Sequence, residues 1–395
     1  MKKEHVLVGK FALLNLIVFM GQAFTYVLMI PYFTSLGYNE VTQGLIFALG
    51  AVLTIVGQFT IGYLCDKFKT DKKIFVILYL VFVIIDWLFY SYGNSPVALV
   101  ILWAALVCSL FQVTQGVLDT WVVESDKYCL DNYGWIRAFG AIGWAIGSPL
   151  CSFFFEKWGY TSLGNGFVLF TVLTLVITLF VKDVEKVERE EKLKFSDIKA
   201  LFVNPNFLLI TLVLLCLYMV VSADSYTPIY KMIALGEKLG QTAAVTNSQI
   251  NFKWAYQAMW ELPLFFFGGW FVKKFGGVKV LFVVTIMMFL RFVLYAFATE
   301  PMHLVWVSTL QAVTFPFIMI CSKQLIDEES PVYLRAGGQQ ISSSIYIGVS
   351  SLLTPVICSF LVKQFSHNLA LYAIASVCII PLCLLLVYQR TKKAK

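Results

Sequence analysis

Asp119, Arg137 and Trp144 stand in two apolar segments joined by a short polar hairpin, Leu118 to Gly147, LDTWVVESDKYCLDNYGWIRAFGAIGWAIG. Asp119 is near the end of one apolar segment and Arg137 is inside the next. A charge set into a membrane-spanning helix costs about 3 kcal/mol or more unless it is paired or wetted, so such residues mark a functional site by default. Arg137 and Trp144 are seven apart, two helical turns, and share a face. Gly140, Gly143 and Gly147 add a strip of small residues that lets a neighbouring helix or a ligand approach the backbone. The chemistry on offer is recognition of a solute by a guanidinium, an aromatic plate and a groove. The plainer alternative is a packing seam with a structural ion pair.

A second constellation lies further on. Glu261 falls near the middle of one apolar segment and Arg291 deep in the next, a candidate buried pair, because either charge alone would be costly. An acid whose distance from an arginine changes also changes its proton affinity, which suits proton coupling. Lys253, Gln257 and Glu261 succeed one another at intervals of four and share one helical face. Lys253 and Gln257 could touch solute, or Lys253 could snorkel outward. Gln22, Tyr26 and Tyr230 are further cavity candidates, and Asp86, near the end of its segment, reads as interfacial or vestibule-lining.

The elements that position these residues are transmembrane helices. The chain has 395 residues, 59% hydrophobic and 13% charged, against about 25% charged in soluble domains. A hydrocarbon layer about 30 Å thick needs about 20 apolar residues per helix. By that ruler there are twelve spans, at 9–33, 41–65, 74–93, 97–122, 134–156, 164–182, 207–232, 249–272, 279–298, 302–325, 336–362 and 367–388. Basic residues collect in alternate loops, which puts both termini and the long middle loop in the cytoplasm of a multi-pass protein of the cell membrane. The start, MKKEHVLVGKF, reads as a retained first helix and not a cleaved leader. The charged stretch KDVEKVEREEKLKFSDIKALFVNPN divides the spans six and six: an N-terminal bundle at 1–182, a linker at 183–206 with a short amphipathic helix at FSDIKALF, and a C-terminal bundle at 207–395.

Composition also excludes several classes. No basic surface domain for nucleic acid exists, and the net charge of +7 is spread over the loops. Nine cysteines are scattered singly and three histidines sit near segment ends, so neither a metal site nor a cofactor is expected. No HExxH, P-loop or clustered nucleophile points to an enzyme.

The loop after the second span, GYLCDKFKTDKK, resembles the hallmark loop of the major facilitator superfamily, with Gly62 for the tight turn and Asp66, Lys72 and Lys73 as the gating charges. An echo, GWFVKKF, begins at Gly269 after the eighth span, as expected of a transporter built from two related halves. Within that superfamily, GLIFA at 44–48, Asp119 through YGWIRAFGAIGW, and FGGVKVLFVVTIMMFLRFVLYAFA at 275–298 resemble the lactose permease group of oligosaccharide/proton symporters. Asp119 and Arg137 keep that group's eighteen-residue separation between sugar-binding carboxylate and arginine. The resemblance implies that both bind solute hydroxyls by charge-assisted hydrogen bonds, that Trp144 stacks on a sugar ring, and that Glu261 is the essential carboxylate with Arg291 as its partner. The sequence departs from the group in having Asp119 for a glutamate, and Gln311 and Thr314 for a histidine and a glutamate. It also lacks the eleventh-span lysine that would face Asp224, leaving Glu261, with Asp224, to carry any proton coupling.

The expectation is a monomeric, all-helical transporter of two six-helix bundles around a central cavity, moving a small hydroxylated solute, a sugar or oligosaccharide, with protons by alternating access. The alternatives are a nucleoside/proton symporter, an uncoupled facilitator and, against the charges in each half, a drug exporter.

Overall fold

The computed structural model describes residues 3–184, 201–331 and 335–393. The regular elements among them are helices. Twelve long helices follow one another: α1 His5–Ser35, α2 Glu40–Lys67, α3 Lys72–Ser91, α4 Val97–Ser125, α5 Tyr133–Trp158, α6 Thr161–Leu179, α7 Pro205–Lys238, α8 Ala243–Phe275, α9 Gly277–Phe297, α10 Pro301–Glu329, α11 Ile341–Gln364 and α12 His367–Lys392. Among the described residues, eleven of them are long and apolar enough to cross a membrane. The exception is α8, whose 33 residues would extend about 50 Å at 1.5 Å per residue. Its length suffices, but Asn247, Asn251, Lys253 and Gln257 are all buried along it, so its polarity is turned inward. Of the expected amphipathic helix FSDIKALF only Leu201 and Phe202 are among the described residues, where they are helical, and most basic residues of the middle loop lie outside them.

Large apolar side chains cover the outside, with Leu179 75% and Phe59 69% exposed, as lipid-facing positions require. Contacts group Met1–Val187 with Gly236–Leu262 in one unit, and Glu188–Leu235 with Pro263–Lys395 in another. In the first, α1 packs on α5 and α6, α2 on α4, and α3 on α4 and α6. In the second, α7 packs on α10, α11 and α12, and α9 on α10 and α12.

Prolines accompany three breaks in these helices, although Pro149, Pro263 and Pro355 lie inside continuous ones. Proline has no N–H for the carbonyl four residues back, and its ring collides with that carbonyl. Pro31 stands four after Val27, where α1 is interrupted between Tyr26 and Met29; Pro228 stands four after Asp224, where α7 is interrupted between Ala223 and Thr227. Pro316 stands four after Ala312, and α10 is interrupted between Gln311 and Phe315. Irregular backbone at membrane depth survives only inside protein or beside water. The first spans of the two sets of six are thus both broken, and Asp224, Gln311 and Thr314 sit at breaks.

Candidate functional site

In the first unit, α4 carries Phe111, Gln115 and Asp119 at successive intervals of four, so one face holds all three. On α5, Tyr133 precedes Arg137 by four, and its hydroxyl donates to the Asp119 carboxylate and accepts from the Arg137 guanidinium. Asp119, Tyr133 and Arg137 are half-buried. The guanidinium carbon of Arg137 lies 4.2 Å from the Phe19 ring centre, a cation–π contact that replaces lost hydration. Gly140 makes this possible: a Cβ there would stand 2.8 Å from Nη1 of Arg137 and 2.9 Å from the Phe19 ring. Tyr133 escaped sequence reasoning, although its spacing from Arg137 was the available signal.

Trp144, two turns on, belongs to a separate group. Its ring centre is 6.0 Å from Phe111 and 6.3 Å from Trp254 of α8, both edge-to-face, and Phe111 stacks on Tyr26 at 5.3 Å. Beside this aromatic cluster, Gln115 donates to the Gln22 side-chain carbonyl at 2.9 Å, and Gln22 donates to Thr114 at 3.2 Å. The Nε1–H of Trp254 is buried without an acceptor among the described residues. Trp144 therefore shares a face with Arg137 but has different neighbours. Gly143 and Gly147 are a packing seam: a Cβ on Gly143 would stand 2.2 Å from the Leu16 carbonyl oxygen, and one on Gly147 2.7 Å from that of Met20.

Lys253 does not snorkel outward. It is fully buried, 4.6 Å over the Trp254 ring and 3.3 Å from the Gln257 side-chain oxygen. Its turn inward follows from α8, whose outward face is held by Phe252, Met259 and Trp260. Glu261 is half-buried one turn beyond Gln257.

In the second unit, Arg291 on α9 is fully buried, and the carboxylate it engages is Asp224, at 3.5 Å. The acid for which a missing lysine left no evident partner thus receives one from α9. Arg291 also donates to the side-chain oxygen of Gln311 and, at 3.4 Å, to Thr314. The two neutral residues found in place of a histidine and a glutamate serve as uncharged acceptors for the guanidinium. Lys231, overlooked in the sequence, donates to the Tyr295 and Ala296 carbonyls at 2.7 and 2.8 Å, placing an ammonium at the C-terminal end of α9 where the helix dipole favours it. Tyr230 is buried on the same broken helix.

The loop between α2 and α3 is built differently from expectation. Gly62 is helical within α2, where an added Cβ would meet no neighbouring element within 4 Å, and the turn itself is made by Lys69, in the left-handed region at φ 52°. Asp66 and Lys73 are exposed. Lys72 donates its ammonium to the Val181 carbonyl at 2.7 Å and its backbone N–H to Asp183 at 3.1 Å, and Thr70 also donates to Asp183. Trp121 of α4 donates to the Lys182 carbonyl at 3.1 Å, so the loop and α4 together hold the chain leaving α6.

Residues 23–373 match the MFS_1 like family. The chain belongs to this family. No curated protein sequence matches it. Among solved structures, this MFS_1 like chain is similar to the nucleoside transporter NupG, with TM-score 0.80 and 15% identity over 97% of this chain and 98% of that one. A mutant of NupG gives 0.82 and 14% over 97% and 99%. A bacterial homolog of the human lysosomal transporter Spinster, inward-facing and unoccupied, gives 0.74 and 11% over 99% and 98%. At such identities the likeness is one of fold. The chain is a membrane transporter with the major facilitator fold.

Proposed function

We propose that the solute is a nucleoside, bound against the aromatic cluster of the first unit and carried with protons by alternating access. The observation that supports this reading is the grouping of Tyr26, Phe111, Trp144 and Trp254 around an unused indole N–H, with the Gln22 and Gln115 amides beside them. A nucleobase offers a flat face to the rings and an acceptor for the indole, and ribose hydroxyls suit the amides. NupG, which shares the fold, is a nucleoside transporter. Acids that could change proton affinity are Glu261 and Asp224, the latter through its pairing with Arg291. The alternation of basic loops favours cytoplasmic termini in the cell membrane, with the transporter acting as a monomer.

A second reading keeps the lactose-permease-like roles of Asp119, Arg137 and Trp144. Arg137 and Trp144 are about 10 Å apart along α5 at 1.5 Å per residue, so a solute touching both must be longer than one ring, an oligosaccharide. Uptake of labelled uridine and of a labelled disaccharide into proteoliposomes, with and without a proton gradient, separates the two. The expected result is gradient-stimulated uridine uptake, weakened in Trp254→Ala by about tenfold in affinity, the scale of one base–aromatic stack. Disaccharide uptake without nucleoside uptake refutes the proposal.

A further inference from the structure

Sequence position alone makes Asp86 an interfacial or vestibule residue, but it is fully buried. Neither carboxyl oxygen has a hydrogen-bond partner among the described residues. Its ionisable neighbours are Tyr79 and Tyr90 on its own helix and Cys151 on α5. Tyr32 of α1 and Tyr160, beside the start of α6, interact with Tyr90 in turn. α6 contains no charged residue, and the charged residues at the near end of α5, Glu156 and Lys157, are exposed, with Lys157 resting 4.3 Å over the Phe153 ring. The charged residues of α1, His5 and Lys10, are fifteen or more residues from Thr25, beyond about 20 Å along a helix. Asp119 and Glu124 of α4 belong to the end of that helix where Trp121 meets Lys182, and Glu40 and Lys67 to the ends of α2. Lys72 and Lys73 begin Asp86's own helix, thirteen or more residues away, and Arg137 is fourteen residues from Cys151 on α5, so among the described residues no cation is placed beside Asp86. An uncompensated carboxylate in such surroundings is expensive, and a carboxyl that carries a proton removes the expense.

The surroundings also connect it to the aromatic cluster. Tyr90, one turn from Asp86, donates to the Thr25 carbonyl at 3.0 Å. Thr25 donates its hydroxyl to the Gln22 carbonyl at 2.9 Å, and the same turn of α1 presents Gln22 to Gln115 and Tyr26 to Phe111. This turn ends at the break before Met29, where Pro31 offers no N–H to the Val27 carbonyl.

We propose that Asp86 is a proton-binding site of the transport cycle, sensed at the solute site through the Gln22–Tyr26 turn of α1. A carboxylate oxygen takes a proton from water when α1 and α3 part on one side of the membrane, carries it as O–H while the packing is closed, and returns it to water on the other. This inference rests on the proton-coupled transport reading, and its test has one arm that does not. In that arm, infrared difference spectra of the purified protein across a pH titration are compared with those of Asp86→Asn. A C=O stretch of a protonated carboxyl at neutral pH, missing from the variant, is expected; its presence in both or absence from both overturns the proposal. In the second arm, proteoliposomes loaded with buffer are given a one-unit pH gradient, and accumulation is normalised to counterflow. One proton per solute sustains about tenfold accumulation across that gradient; Asp86→Asn should fall to about onefold, and Asp86→Glu should recover part of it. Accumulation by Asp86→Asn equal to that of the unmodified protein overturns the proposal. If the unmodified protein carries no nucleoside, that reading of the solute fails, and the infrared arm decides the fate of Asp86.

Discussion

Replacing Arg291 by methionine leaves Asp224 buried without its cation, and the cost can be worked from the geometry. Two unit charges 3.5 Å apart attract by about 5 kcal/mol at an effective dielectric constant near 20. Removing one member of a buried pair costs about 3–5 kcal/mol, because the other member keeps its desolvation penalty. Arg291→Met should therefore be destabilised by about 3–5 kcal/mol, with the acceptors Gln311 and Thr314 also left without their donor. Asp224→Leu should behave alike, since it strands the guanidinium. The double variant removes both charges, and replacement of a whole buried pair by apolar residues is often neutral or stabilising. It should be at least as stable as either single variant. Thermal unfolding in detergent can be followed with a thiol-reactive dye, because eight of the nine cysteines are buried and become reactive only as the fold opens. Losses that simply add in the double variant would refute the pairing. A double variant that is stable yet fails to accumulate solute assigns the pair to transport as well as to folding.

Gly143→Ala places a methyl 2.2 Å from the Leu16 carbonyl oxygen, a backbone atom that cannot swing aside, and should destabilise the protein by about 1–3 kcal/mol; the same dye assay should leave Gly134→Ala unaffected, since nothing lies within 4 Å of that position. Tyr133→Phe removes the hydroxyl shared by Asp119 and Arg137 and should cost about 1–3 kcal/mol in stability, with Arg137→Ala costing less when combined with Tyr133→Phe than alone; full additivity would mean that the three residues do not act together.

The spans and the likeness to the major facilitator fold were written locally. Apolar runs gave the helices their length, but proline alone did not place the breaks: Pro31, Pro228 and Pro316 stand four residues after one, whereas Pro149, Pro263 and Pro355 lie inside continuous helices. Spacing likewise placed Arg137 and Trp144 on one face, and Lys253, Gln257 and Glu261 on another. What it left open was where each face points. In this chain the lipid side and the core side of a helix are both apolar, so periodicity scarcely distinguishes them. Lys253 therefore read as free to snorkel and Asp86 as interfacial, whereas packing buries both. Partners distant in sequence were equally out of reach: Asp224 meets Arg291 from 67 positions away, and Trp254 meets Trp144 from 110, because α7 and α8 are rotated to present those residues. The sequence by itself determined which residues are charged or aromatic within the membrane, since that is a matter of composition and length. Only the tertiary structure decided which of them touch, because the rotation of each helix about its own axis is fixed by its neighbours and not by its own residues.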